Sequence, residues 1–126
     1  NGTDGAELER MAHAYQSPAR IDIVRDPGER EELHRGRVLL EGYDFALRAY
    51  VIRKTGADDV RLVMMPTAPQ INPVFLITGW DGSQVRVFVD GEELGSDRCR
   101  AQINDNKLVV WVAGHFATSV EFAFMA

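Results

Sequence analysis

The spacing of apolar residues changes character near residue 38. Before that point two stretches have helical spacing. Leu8, Met11, Ala12 and Tyr15 recur at i, i+3, i+4 and i+7, which predicts a helix over 6–16. Asp4 is placed to cap it and Ser17-Pro18 to end it. Arg20-Ile21-Asp22-Ile23-Val24 alternates as a short strand does. Asp26-Pro27-Gly28-Glu29 then has the form of a helix start, with a capping Asp, a Pro at the first position and a Glu three residues on. That helix is expected to run to Arg35 and stop at Gly36.

From Val38 onward the period is two. Phe45, Leu47, Ala49 and Val51 share one face of an expected strand, with Ala46, Arg48, Tyr50 and Ile52 on the other. A turn at Thr55-Gly56-Ala57-Asp58 leads to Val60, Leu62 and Met64, which alternate with Arg61, Val63 and Met65. These two strands are expected to pair antiparallel. Pro66, Pro69 and Pro73 mark a stiff connection, because proline cannot donate to a ladder. Val74 to Gly79 is apolar enough for a strand buried on both faces. Trp80-Asp81-Gly82-Ser83 turns the chain into Val85, Val87 and Val89, which face away from Arg86 and Phe88. Asp90-Gly91 predicts a type I′ hairpin into Glu92–Leu94. Arg98–Ile103 and Leu108–Val112 are strands joined at Asn104-Asp105-Asn106. Gly114 breaks the second, and Ser119–Phe124 is the last, with Val120, Phe122 and Phe124 on one face.

About eight short strands with frequent turns and no βαβ alternation predict a mainly β protein. The expected form is an antiparallel β-sandwich or jelly roll with one or two short N-terminal helices. Residues 1–37 read as a helical lead-in or junction segment and 38–126 as the β-sandwich domain, a single domain overall.

Composition supports a packed core. The 126 residues are 45% hydrophobic and 26% charged, which is globular usage. The net charge of −5 and the interleaving of signs, as in Glu29-Arg30-Glu31-Glu32-Leu33-His34-Arg35, argue against a nucleic-acid or anionic-membrane partner. Cys99 is the single cysteine, so no internal disulfide forms and either redox compartment is compatible. Its neighbours Arg98 and Arg100 could activate a thiol, but strand alternation points Cys99 inward. No apolar run approaches the ~20 residues that span a bilayer. The chain opens Asn1-Gly2-Thr3 without an initiator methionine, which implies processing or excision from something larger. The sequence leaves the location open, with secretion as part of a larger protein as one option.

Chemistry-bearing motifs are sparse. His13, His34 and His115 are far apart and show no metal-ligand spacing. There is no Gly-x-Ser-x-Gly elbow, P-loop or Gly-x-Gly-x-x-Gly. Ser17, Ser83, Ser96 and Ser119 fall in turns or at strand ends. Asp58-Asp59, Glu92-Glu93 and Asp97 fall in loops or hairpins, where acidic residues need no catalytic explanation; calcium at such a turn rests on analogy. No catalytic residue, metal ligand or cofactor is assigned. The aromatic residues Trp80, Trp111, Tyr43, Tyr50, His115 and Phe116 offer more. An exposed ring can stack on a sugar while polar neighbours bond its hydroxyls. Trp111 is expected in the core, whereas Trp80 stands open between core and platform. Trp80, Tyr43 and Arg86 are the expected ligand contacts.

Ile71-Asn72-Pro73-Val74-Phe75-Leu76-Ile77-Thr78-Gly79-Trp80, then Val85–Leu94 around Asp90-Gly91, then Lys107–Val112, resemble the C-terminal β-sandwich module of some bacterial polysaccharide-degrading enzymes. The resemblance covers residues 71–126. It implies an accessory, non-catalytic role, with a polysaccharide or an adjacent domain of a parent protein as partner. Two alternatives stay open. One is a small stand-alone enzyme with a site assembled from dispersed residues such as His115, Asp81 and Glu121. The other is a structural module for domain or subunit contact, with Ala6–Gln16 as an amphipathic arm.

Overall fold

The computed structural model describes residues 18–24, 38–55 and 59–126. The helices expected over 6–16 and 26–35, and the turn at 56–58, lie outside the described residues. Among those described there is no helix, and the structure is mainly β.

The described residues form twelve strands: β1 (Arg20–Ile23), β2 (Val38–Asp44), β3 (Ala49–Lys54), β4 (Val60–Met65), β5 (Gln70–Ile71), β6 (Val74–Thr78), β7 (Arg86–Val89), β8 (Glu92–Glu93), β9 (Cys99–Asn104), β10 (Lys107–Val112), β11 (His115–Phe116) and β12 (Val120–Met125). The number exceeds the eight expected partly because β5 and β11, two-residue segments, were not expected. One five-stranded sheet has the order β1-β4-β12-β7-β8, a second has β2-β3-β6-β10-β9, and β11 pairs with β5. We call the first two sheet A and sheet B.

Alternation explains the core. Val60, Leu62, Met64, Val87, Val120, Phe122 and Phe124 of sheet A are buried with Tyr50, Ile52, Phe75, Ile77, Leu108, Val110 and Val112 of sheet B. The in-facing side chains of the two sheets thus form one cluster, an arrangement consistent with a β-sandwich. Phe75 joins the sheets directly, with its ring centroid 4.9 Å from that of Phe122 and 5.2 Å from that of Phe124.

Two expectations are overturned. Residues 45–48 are a turn, not strand. Asp44 makes it: its Oδ1 accepts the Leu47 N–H at 3.0 Å, and Arg48 takes φ 54°. The hairpin partner of β3 is therefore β2, with Tyr43 opposite Tyr50. β3 and β4 do not pair either, because the chain crosses from sheet B to sheet A between them. It returns through β5 to β6, which lies parallel to β3. The sheet is therefore mixed rather than wholly antiparallel.

Other turns match their residues. Asp90 (φ 49°) and Gly91 (φ 83°) form the β7–β8 hairpin, as the positive-φ preference of that pair predicts. Asp105 (φ 52°) and Asn106 (φ 64°) do the same between β9 and β10. That two-residue turn fixes the register that places Trp111 opposite Arg100.

Candidate functional site

Trp111, expected in the core, is exposed, and Trp80, left open between core and platform, is buried. Trp80 is 1% exposed and belongs to the core. The residue before it explains why. Gly79, at φ 81°, presses so close to β3 that a Cβ would overlap the Lys54 carbonyl oxygen. This turns the chain inward at the end of β6. The Gly79 and Trp80 N–H groups donate to the Asn106 carbonyl at 2.8 and 3.0 Å, and Trp80 Nε1 donates to the Gln84 carbonyl at 3.3 Å. Lys54, with its side chain 2% exposed, lies with Nζ 4.7 Å from the centre of the Trp80 ring and 3.6 Å from Asp81 Oδ1. A ring so enclosed has no face left for a ligand.

Trp111 is 39% exposed. Leu108, Val110 and Val112 take the inward face of β10, so Lys107, Val109 and Trp111 take the outer one. Val74 lies opposite Trp111 on one side and Arg100 on the other. Directly opposed residues have Cβ atoms about 4.5–5.5 Å apart, so Trp111 and Arg100 share one surface. Gln102, two residues along β9, faces the same way beside Val109. Arg100, Ala101, Gln102 and Trp111 bound one open depression. Asn72, Asp97, Arg98, Arg100 and Trp111 line a groove of about 250 Å³ that adjoins it. Asn72 is held in place by Gly114, whose N–H donates to Asn72 Oδ1 at 2.9 Å.

The remaining sequence-derived candidates do not join this surface. Tyr43 packs edge-on against Tyr50 and Phe45, at 4.9 and 5.0 Å. With Tyr50, Arg48, Gln70 and Asn72 it bounds a crevice of about 20 Å³, far below the roughly 300–1,000 Å³ of ligand pockets. Tyr43 lies opposite Tyr50 at one end of β3, while Trp80 lies beside Lys54 at the other, about 13 Å away at strand rise. Arg86 is on the outer face of sheet A. It donates two hydrogen bonds of 3.1 Å to the Glu93 carboxylate and sits 5.1 Å over the Phe88 ring. That bond raises the Arg86 pKa and holds the Glu93 carboxyl below its usual range. Trp80, Tyr43 and Arg86 thus occupy three separate environments.

His115, Asp81 and Glu121 are equally dispersed. His115 pairs with Ile71 in the small ladder, Asp81 faces Lys54, and Glu121 accepts a bond from Arg61 on sheet A. Among the described residues no group of three or more His, Cys, Asp or Glu is placed to hold a metal ion. Cys99 packs inward as expected. Burial, then the nearby charges of Asp97 and Glu93, push its thiol pKa up, so Arg98 and Arg100 do not activate it.

Both sheets carry ion pairs on their outer faces, Arg53–Glu41 at 3.3 Å being the one on sheet B among the described residues, but sheet B also carries an apolar strip. On sheet A, Arg20–Asp22, Arg61–Glu121 and Arg86–Glu93 form ion pairs of 3.1–3.3 Å. On sheet B, Val51, Val74, Leu76 and Val109 form an apolar strip that ends at Trp111. The alternation of β10 and the turn at Asp105-Asn106 carried the Trp111–Arg100 pairing in the sequence. The assumption that a strand tryptophan fills the core obscured it. Compared with protein-family models, curated proteins and solved structures, the chain matches none.

Proposed function

We propose that this chain is a non-catalytic binding module that recognises carbohydrate on the outer face of sheet B, with Trp111 as the stacking platform. The observation that carries the reading is the exposure of Trp111 beside Arg100, Gln102 and Asn72. A flat ring supplies apolar contact to the C–H face of a sugar, and side-chain donors at its edge bond the hydroxyls. The groove is shallow and open, which suits a chain lying along a face rather than a small molecule enclosed in a pocket. The resemblance of residues 71–126 to accessory modules of polysaccharide-degrading enzymes points the same way. In this reading, residues 1–37 join the module to a larger protein.

A panel of soluble polysaccharides tests it by tryptophan fluorescence and affinity gel electrophoresis. At least one is expected to retard the protein and shift its emission, and Trp111→Ala to abolish both effects. Retardation by none of them, or retention of binding by Trp111→Ala, counts against it.

Contact with a neighbouring domain is a second reading, favoured by the turn between β2 and β3. Phe45 and Leu47 there are 60% and 58% exposed, unusual for large apolar side chains on one short turn. Phe45→Ser with Leu47→Ser would weaken association with an adjoining domain while leaving polysaccharide retardation intact.

A further inference from the structure

Charge around Trp111 is distributed unlike charge elsewhere among the described residues. Arg20, Arg53, Lys54, Arg61 and Arg86 each pair with a carboxylate at 3.1–3.6 Å. Arg98, Arg100 and Lys107 form no ion pair among the described residues. All three lie at or beside the outer face of sheet B. Arg100 is the cross-strand neighbour of Trp111, Arg98 lines the same groove, and Lys107 points outward from the far end of β10. Asp97 is, among the described residues, the one carboxylate lining the groove. Among the described residues, a chain of net charge −5 therefore keeps its unpaired cations around its exposed tryptophan.

We infer that the ligand of this face is a polyanionic glycan, a polymer bearing carboxylate or sulfate groups. The inference rests on the carbohydrate reading of Trp111 given above. An arginine fork meets a carboxylate or sulfate with two parallel charge-assisted hydrogen bonds. Arg100 is placed to make them while the sugar ring lies on Trp111. Asn72 adds a neutral donor: Gly114 holds its Oδ1, and its Nδ2 makes no hydrogen bond among the described residues. Lys107 and Trp111 are four residues apart on one strand, about 13 Å. That span matches an extended polymer with repeated charges better than a single sugar.

The test uses the full chain with polygalacturonate, its methyl-esterified neutral form, dextran sulfate, dextran and oligodeoxythymidylate. Polygalacturonate or dextran sulfate is expected to bind roughly tenfold or more tightly than its neutral counterpart, and to weaken as salt is raised. Retention by the first alone assigns carboxylate, and by the second alone sulfate. Arg100→Gln and Arg98→Gln should each lower that affinity several-fold with an unchanged circular dichroism spectrum. Trp111→Ala should remove binding altogether. Equal binding of charged and neutral polymers, with both arginine variants silent, overturns the polyanion inference and leaves the carbohydrate reading standing. Binding of no polysaccharide, or tighter binding of oligodeoxythymidylate, overturns both.

Discussion

At the residue scale, Tyr50 makes the clearest link between burial and a measurable property. Its hydroxyl donates to Gln70 Oε1 at 2.7 Å and accepts the Ala19 N–H at 3.0 Å. Gln70 Nε2 in turn donates to the Ala68 carbonyl at 2.9 Å. One phenol thus ties β3 to the entry of β1 and to β5. Burial pushes the Tyr50 pKa up to about 12, against the smaller lowering by the Ala19 N–H. An unfolded tyrosine releases its proton near pH 10. Between about pH 10 and 12 the unfolded chain therefore binds fewer protons than the folded one, and stability falls as pH rises. Tyr50→Phe should remove this drop. At neutral pH it should cost about 1–3 kcal/mol, because Gln70 and Ala19 lose a buried partner. Urea titrations of both proteins at pH 7 and through the alkaline range measure the two effects. An identical alkaline decline in the variant would show that Tyr50 is not its source.

At the element scale, two glycines of similar backbone conformation separate strain from crowding. Gly91 in the β7–β8 hairpin has φ 83° and open space where a Cβ would stand. Gly79 has φ 81°, but its Cβ would meet the Lys54 carbonyl oxygen. Gly91→Ala should therefore cost only the left-handed penalty, about 1–2 kcal/mol. Gly79→Ala should cost about 3 kcal/mol or more, because β3 must move from β6 and the Trp80 corner with it. Urea midpoints at matched slopes give both differences. Equal costs would mean that the close approach at Gly79 is not a constraint. The turns also show why some elements were legible and others were not. Asp90-Gly91 and Asp105-Asn106 signal tight hairpins through residues that accept positive φ. The turn at 45–48 has no such signature, since Phe45, Ala46 and Leu47 continue an apolar alternation. Only the Asp44 side chain, capping Leu47, marks the break.

At the scale of the whole molecule, strand periodicity carried the assignment of inward and outward residues but not the assignment of strands to sheets. Val60, Leu62 and Met64 were legible as an inward row whatever their partner. That β4 leaves β3 for the other sheet depends on packing between distant residues, such as Phe75 against Phe122, which no local pattern records. The candidate site shows the same division. Alternation alone sets Trp111 opposite the Leu108–Val110–Val112 face, yet the bulk of its ring led to its expected place in the core, while the enclosure of Trp80 depends on Lys54, Gln84 and Asn106 meeting across three separate loops and strands. The result is a molecule with one tryptophan inside and one outside beside unpaired cations. Quenching separates them. Iodide, drawn to Arg98 and Arg100, should quench the Trp111 share of the emission, and caesium should quench it less. Trp111→Phe should leave a blue-shifted emission from Trp80 that neither ion reaches. Raising salt should narrow the difference between the two ions without exposing Trp80. Iodide quenching that survives Trp111→Phe in the folded protein would mean that the Trp80 corner opens, and the face of sheet B would lose its claim to the only accessible indole.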